Sequence, residues 1–187
     1  MIRKNENMFE KTNLTPLSID LLKFLSRNPN KEFYITQLAK FTNSSMGGSY
    51  AALKNLYKMN LINRRRSGRN LYYMINDKNP ALKYIKIFFN LSELNPLIKR
   101  ISAKSRKVVL FGSCSTGEDT MESDIDLFIV AENTKAIKDI IKTRYVNQRE
   151  LKPIITTPHG LIEMKNRDRA FYDEVVKGIV LWRSGNE

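Results

Sequence analysis

Cysteine and histidine are almost absent from this chain of 187 residues, which has one of each, Cys114 and His159. A single cysteine excludes an internal disulfide and a cysteine-based zinc site. A single histidine gives no basis for a histidine-built metal centre, and neither residue has a partner suggesting a nucleophile with its base. No apolar run approaches the roughly 20 residues that span a bilayer, so no membrane partner is expected. The polar start, Met1 to Asn7, leads into no apolar signal segment, and the expectation is a soluble, cytoplasmic protein. Acidic residues are scarce in one part of the chain only. Six Asp/Glu stand against nineteen Lys/Arg through residue 105, and thirteen of each sign follow. The whole net charge of +13 therefore sits in the first part, where it should favour phosphate backbones. A basic part joined to a neutral one implies two jobs. The hydrophobic content of 42% is enough to pack cores for both.

Residues 1–14 read as a loose polar leader. Thr15-Pro16 suits a helix start, and Leu17, Ile19, Leu21, Leu22, Phe24 and Leu25 continue it as an amphipathic helix that Asn28-Pro29-Asn30 ends. A short extended piece at 32–36 follows, with Thr36 as the expected cap of a second helix carrying Leu38, Ala39 and Phe41. A third helix runs to about Met59, with Met46, Tyr50, Leu53, Leu56 and Tyr57 at helical spacing and Asn60 closing it. The period then changes. Residues 61–66 and 71–75 read as two strands around the Ser67-Gly68-Arg69-Asn70 turn.

The order helix, short strand, helix, helix, hairpin resembles the winged helix-turn-helix domain over roughly residues 12–76. In that domain the third helix enters the major groove of double-stranded DNA by its N-terminal end, and the hairpin forms the wing. The resemblance implies DNA-binding roles for Ser45, Ser49 and Lys54 on the helix and for Arg64, Arg65, Arg66 and Arg69 on the wing. Four guanidinium groups on one hairpin suit phosphate or minor-groove contact. RNA binding and protein docking are the other uses of such a module. Paired half-sites make a homodimer a further expectation.

A helical connector is expected over 78–105, in two pieces interrupted at Pro96. Beyond it, residues 107–111 form a buried-type strand, 112–123 a loop with at most one helical turn, and 124–130 a second strand. A helix through Ile137, Ile140 and Ile141 follows. The third strand, 151–157, is placed at a sheet edge by Pro153. Pro158-His159-Gly160 reads as a turn, and a last helix spans about 165–177 before a final short strand. Trp182 is expected in the core.

The chemistry lies in Gly112-Ser113 and Asp124-Ile125-Asp126. On a strand, residues i and i+2 share a face, so Asp124 and Asp126 project together while Ile125 and Leu127 point into the core. Two carboxylates on a rigid face suit Mg²⁺, which takes oxygen ligands and keeps waters and substrate phosphates. A glycine after the preceding strand allows close backbone approach to a phosphate, and Ser113 adds a hydroxyl and an N–H. A hydrophobic strand, Gly-Ser, a further glycine (Gly117) and Asp-x-Asp between hydrophobics resemble the minimal branch of the DNA polymerase beta-like nucleotidyltransferase superfamily. The resemblance covers about residues 104–182.

It implies transfer of a nucleoside monophosphate from an NTP to an acceptor hydroxyl. Gly112 and Ser113 would hold the nucleotide, and Asp124 and Asp126 would be the catalytic residues that bind Mg²⁺ or Mn²⁺. Two departures stand out. Relatives usually carry a third carboxylate on a later strand, and here Glu150 lies only just before it, with Glu163 and Asp173 further on. Relatives also often have a basic residue where Thr116 sits. The expected architecture is α/β, more strictly α+β: a winged helix over 1–77, the connector over 78–105, and a mixed sheet flanked by helices over 106–187. The alternative to an enzyme is a DNA-binding regulator or antitoxin-like protein whose second domain binds nucleotide or a protein partner without turnover.

Overall fold

A computed structural model describes residues 14–142 and 144–185, which divide into two compact units between Leu82 and Lys83. Most of the polar leader read at 1–14 lies outside the described residues.

The first unit starts with helix α1 (Pro16–Ser26), whose N-terminus is fixed by Thr15: its hydroxyl accepts from the Ser18 N–H at 3.2 Å, and Pro16 follows as first helical residue. Strand β1 (Phe33–Tyr34) runs directly into α2 (Ile35–Phe41). This helix starts earlier than expected. Thr36 lies inside its first turn, and the Gln37 side chain reaches back to accept from the Tyr34 N–H at 2.8 Å. Helix α3 (Met46–Lys58) is capped by Ser45 and buries Ser49, Ala52, Leu53 and Leu56 on one stripe. Strands β2 (Ile62–Ser67) and β3 (Asn70–Ile75) form the hairpin, and β1 pairs with the other side of β3. This is the winged helix-turn-helix arrangement.

Helix α4 (Ala81–Ile101) is one continuous element with Pro96 inside it, where the sequence suggested an interruption. Proline removes one hydrogen bond and crowds the preceding turn. Here burial of Leu94 and Ile101, with Leu91, Leu97 and Ile98 packed beside them, outweighs that local cost. A single 3-10 turn (Ser102–Lys104) leads out of it. From Lys83 onward α4 belongs to the second unit.

The second unit continues with β4 (Lys107–Phe111), α5 (Ser113–Thr116), β5 (Ile125–Val130), α6 (Thr134–Ile140), β6 (Tyr145–Val146), β7 (Arg149–Thr156), α7 (Pro158–Arg167), α8 (Arg169–Val176) and β8 (Ile179–Arg183). The sheet order is β6-β7-β5-β4-β8, with β5 and β7 parallel and the other pairs antiparallel. Both faces are covered. Val108, Leu110, Leu127 and Ile129 pack with Leu94 and Ile101 of α4 and Ile137 of α6. Val109, Phe111, Phe128 and Val130 pack with Val175 of α8 and Leu161 and Met164 of α7. The chain is therefore α+β, with a mixed sheet between helices.

Three local expectations need correction. Pro158-His159-Gly160 is the first turn of α7, capped by the Thr157 hydroxyl, which accepts from the Gly160 N–H at 3.1 Å. The expected helix at 165–177 is two helices parted at Asp168, whose carboxylate caps the second. Trp182 is exposed on the outer strand β8, its indole N–H donating to the Ser105 carbonyl at 3.2 Å. Pro153 is tolerated because the two-residue β6 pairs only with Arg149 and Glu150, which leaves β7 without an outer neighbour at the proline. Among the described residues, no helix is long and apolar enough to cross a membrane.

Candidate functional site

Strand β5 sends Ile125 and Leu127 into the core beneath α4 and presents Asp126 on the opposite face, with Asp124 just before the strand. Further along that face Phe128 and Val130 are buried under α7 and α8, so the two half-buried aspartates sit at the strand's open end. The antiparallel pairing of β4 and β5 sets Phe111 opposite Asp126, and the next residue, Gly112, turns the chain into α5. Gly112 has φ +65° and ψ −158°, a region almost confined to glycine. A Cβ there would stand 2.6 Å from Asp126 Oδ2. The glycine bend and the carboxylate are thus in direct contact. Ser113 begins α5, and Gly117, at φ +74°, ends it.

Burial and the neighbouring Asp124 raise the Asp126 carboxyl above the ordinary aspartate range, Lys152 acts against the shift, and Glu174 adds to it. Lys152 is the unexpected member of the group. It stands opposite Asp126 in the parallel pairing of β5 with β7, and its ammonium lies 2.5 Å from Asp124 Oδ2. That contact raises the lysine above its usual range. Glu150, two residues earlier on the same exposed face of β7, also acts on Lys152. Glu163 faces His159 at 3.5 Å and Asp173 faces Arg169 at 3.8 Å, each pair along one helix. Neither serves the aspartate pair. Thr116 turns back on its own helix, its hydroxyl donating to the Ser113 carbonyl at 3.1 Å.

Behind the Gly112–Ser123 loop lies a buried polar network that composition alone did not reveal. Arg149, fully buried, donates to Asp119 Oδ2 at 2.9 Å, Asn90 Oδ1 at 2.9 Å and Glu93 Oε2 at 3.0 Å. Asn90 in turn donates to the Cys114 carbonyl and to Asp119 Oδ1, each at 3.0 Å, and Lys86 donates to the Asp119 carbonyl. Two cations and two acids balance, and α4 and β7 thereby clamp the loop that carries Ser113. The single cysteine is part of this clamp, with its Sγ 3.3 Å from the Asp124 carbonyl.

In the first unit the alternation of β2 divides the basic hairpin. Arg64 and Arg66 pair across to Tyr73 and Leu71, whereas Arg65 pairs with Tyr72 on the other face. Arg65 is held there by Glu32 at 2.9 and 2.5 Å, over the Tyr72 ring. Arg64, Arg66 and Arg69 line one hollow with Leu71, and Arg64 stacks on Tyr57 of α3 at 4.3 Å. Arg69 and Leu71 also border a groove with Met46 and Tyr50 of α3. Ser45 and Lys54 are exposed, the serine oxygen engaged as the α3 cap. Ser49 is not available to DNA. It is 0% exposed and its hydroxyl lies 2.6 Å from that of Ser44, because it falls on the same helical stripe as Ala52, Leu53 and Leu56.

The model of the family "Polymerase beta, Nucleotidyltransferase" matches residues 74–187, more than half of the chain. The chain belongs to the polymerase beta nucleotidyltransferase family. No curated protein matches it in sequence. Among solved structures it is similar to a protein from Sulfolobus solfataricus described as a candidate nucleotidyltransferase, at 15% identity and a TM-score of 0.38, covering 58% of this chain and 93% of the other. It is also similar to the homodimeric winged helix-turn-helix DNA-binding domain of a possible ArsR-family regulator from Mycobacterium bovis, at 20% identity and 0.34, covering 45% and 70%. The adhesin competence repressor of Streptococcus pyogenes is a third, at 24% identity and 0.34, covering 51% and 73%. Scores this low carry no argument about function.

Nucleotidyltransferase chemistry implies a divalent cation. The donors here are hard oxygens on one face, which suits Mg²⁺ or Mn²⁺, and the missing Cβ of Gly112 leaves room beside Asp126. Among the described residues no three acids, histidines or cysteines gather as a metal site. Two carboxylates of this kind would hold Mg²⁺ or Mn²⁺ only together with oxygens from a bound phosphate or water. The sequence reading missed Lys152 and Glu174 because their places depend on strand register and helix packing. Only the alternation of β7, which puts Lys152 on the face opposite Leu151, was visible beforehand.

Proposed function

We propose that the second unit is a nucleotidyltransferase domain that binds a nucleoside triphosphate at Gly112 and Ser113 beside a Mg²⁺ or Mn²⁺ ion held by Asp124 and Asp126. An acceptor hydroxyl oxygen forms a bond to the α-phosphorus, the bond to the bridging oxygen breaks, pyrophosphate leaves, and the hydroxyl proton passes to solvent. The cation, when bound, supplies charge stabilisation at the phosphorus. Gly112 admits the triphosphate close to the backbone, Ser113 donates to it, and the Arg149–Asp119–Asn90 clamp holds the loop. The contact between Gly112 and Asp126 carries the reading, since it brings the phosphate-binding bend and the acidic pair into one place. The test is pyrophosphate release from NTPs with Mg²⁺. Loss in both Asp124→Asn and Asp126→Asn is expected, and an unchanged rate in the double variant removes the assignment.

The first unit is proposed to bind double-stranded DNA through the N-terminal part of α3 and the Arg64, Arg66 and Arg69 face of the wing, as a homodimer on paired half-sites. Salt-sensitive duplex binding checks this. One observation favours a second reading, a DNA-binding regulator of antitoxin-like type whose nucleotide site does not turn over. The residue opposite Asp126 on the neighbouring strand is Lys152, not a third acid. Nucleotide binding without pyrophosphate release, in protein whose duplex affinity changes with nucleotide, decides for that reading.

A further inference from the structure

The parallel pairing of β5 and β7 fixes Lys152 beside Asp126 and lays its ammonium on Asp124 Oδ2. Cations at a two-metal phosphoryl-transfer centre stand about 3.5–4 Å apart and clamp the attacking and leaving oxygens. Here Asp124 Oδ2 already carries a positive group, while Asp126 Oδ2 faces Gly112. We infer that Lys152 is an internal cation in place of the second metal, so that the aspartate pair takes one divalent ion and not two. This rests on the proposed nucleotide site and goes further by setting its metal count.

The surroundings support the assignment. Lys152 faces three carboxylates, those of Asp124, Asp126 and Glu150, and Asp126 also senses Glu174. Several acids around one ammonium still attract a divalent cation. The ammonium is tethered to the sheet, so a second ion at Asp124 Oδ2 must displace it and compete with a positive charge that stays nearby. The four-carbon stem of lysine also allows the ammonium to turn toward a bound triphosphate while its backbone stays in register.

The experiment counts and weighs Mn²⁺ on the full-length protein, reading free Mn²⁺ by electron paramagnetic resonance, with and without a non-hydrolysable ATP analogue. Wild-type protein is expected to bind one Mn²⁺ per chain in the presence of the analogue. Lys152→Gln keeps a hydrogen-bonding group but removes the charge, and should bind Mn²⁺ about tenfold more tightly without nucleotide, as expected for removing a neighbouring positive charge at moderate salt. Lys152→Arg should behave as wild type, and Asp126→Asn should weaken binding in every background. Two Mn²⁺ per wild-type chain, or an unchanged affinity in Lys152→Gln, overturns the role of Lys152 while leaving the aspartate site in place. Absence of Mn²⁺ binding from both wild type and Lys152→Gln, with no effect of Asp126→Asn, overturns the aspartate site itself and this inference with it.

Discussion

Gly112 and Asp126 face each other so closely that one added methyl group would lie 2.6 Å from the carboxylate. Two costs therefore meet in Gly112→Ala. The backbone conformation at φ +65°, ψ −158° costs a residue with a Cβ about 1–3 kcal/mol, and the methyl displaces the carboxylate. The variant should lose that much stability in urea denaturation and should lose nucleotide binding. Stability equal to wild type shows that the bend has another conformation open to it.

Arg149 should be among the most sensitive positions in the second unit. It is fully buried and hydrogen-bonded to Asp119, Asn90 and Glu93. Arg149→Met leaves Asp119 and Glu93 with Lys86 as the remaining cation beside them, and breaking a buried pair costs about 3–5 kcal/mol. The double variant Arg149→Met, Glu93→Gln should be more stable than the single one, since it leaves Lys86 and Asp119 as a balanced pair. Chemical denaturation of both checks the order. If the double variant is no better than the single, the loss comes from packing and not from charge.

The element order of the winged helix and the Gly-Ser and Asp-x-Asp strands were legible because each rests on local rules, such as helical spacing, alternation, and a cap followed by proline. Thr15-Pro16 announced α1. The same pair at Thr157-Pro158 caps α7, although Gly160 two residues on is a poor helix former and gives the segment the look of a turn. Helix α4 runs through Pro96 because tertiary burial exceeds a local penalty that sequence shows and burial it does not. The hairpin of β6 and β7 was hidden because its turn is Asn147-Gln148, both at positive φ, without the glycine that usually signals such a turn. Register was out of reach altogether. Lys152 beside Asp126, Glu174 near it and Glu32 against Arg65 all follow from contacts between distant segments.

The acidity of Asp126 has a consequence for stability. Its carboxyl is raised in the folded protein, first by burial and then by Asp124. The folded state therefore favours the protonated form more than the unfolded state does. Below the unfolded value the group is protonated in both states and contributes no difference. As pH rises through the unfolded and then the folded value, ionisation costs the folded state, and above both the cost stays constant. Asp126→Asn should accordingly melt higher than wild type at neutral pH in chelator-treated protein, with the gap closing as pH falls below the ordinary aspartate range. Solvent screening keeps the effect small for a group this exposed. A gap of the same size at all pH values would assign it to packing.

The division of the wing predicts unequal arginines. Arg64, Arg66 and Arg69 line one hollow, whereas Arg65 is engaged with Glu32 on the other face. If the hollow follows a DNA backbone, each of the three phosphate contacts should add roughly 0.9 to the slope of log affinity against log salt. Single Ala variants of Arg64, Arg66 and Arg69 should each flatten the slope by about that much, uniformly across duplex sequences. Arg65→Ala should change it little, because the guanidinium already has an acidic partner and releases few counterions. Glu32→Gln frees Arg65 and should leave it able to bind phosphate, so this variant should bind duplex somewhat more tightly and with a steeper slope. Salt titrations of the five variants on two duplexes of unrelated sequence decide it. Equal losses from all four arginines show that the whole hairpin is wrapped by nucleic acid and that the Glu32 pair opens on binding.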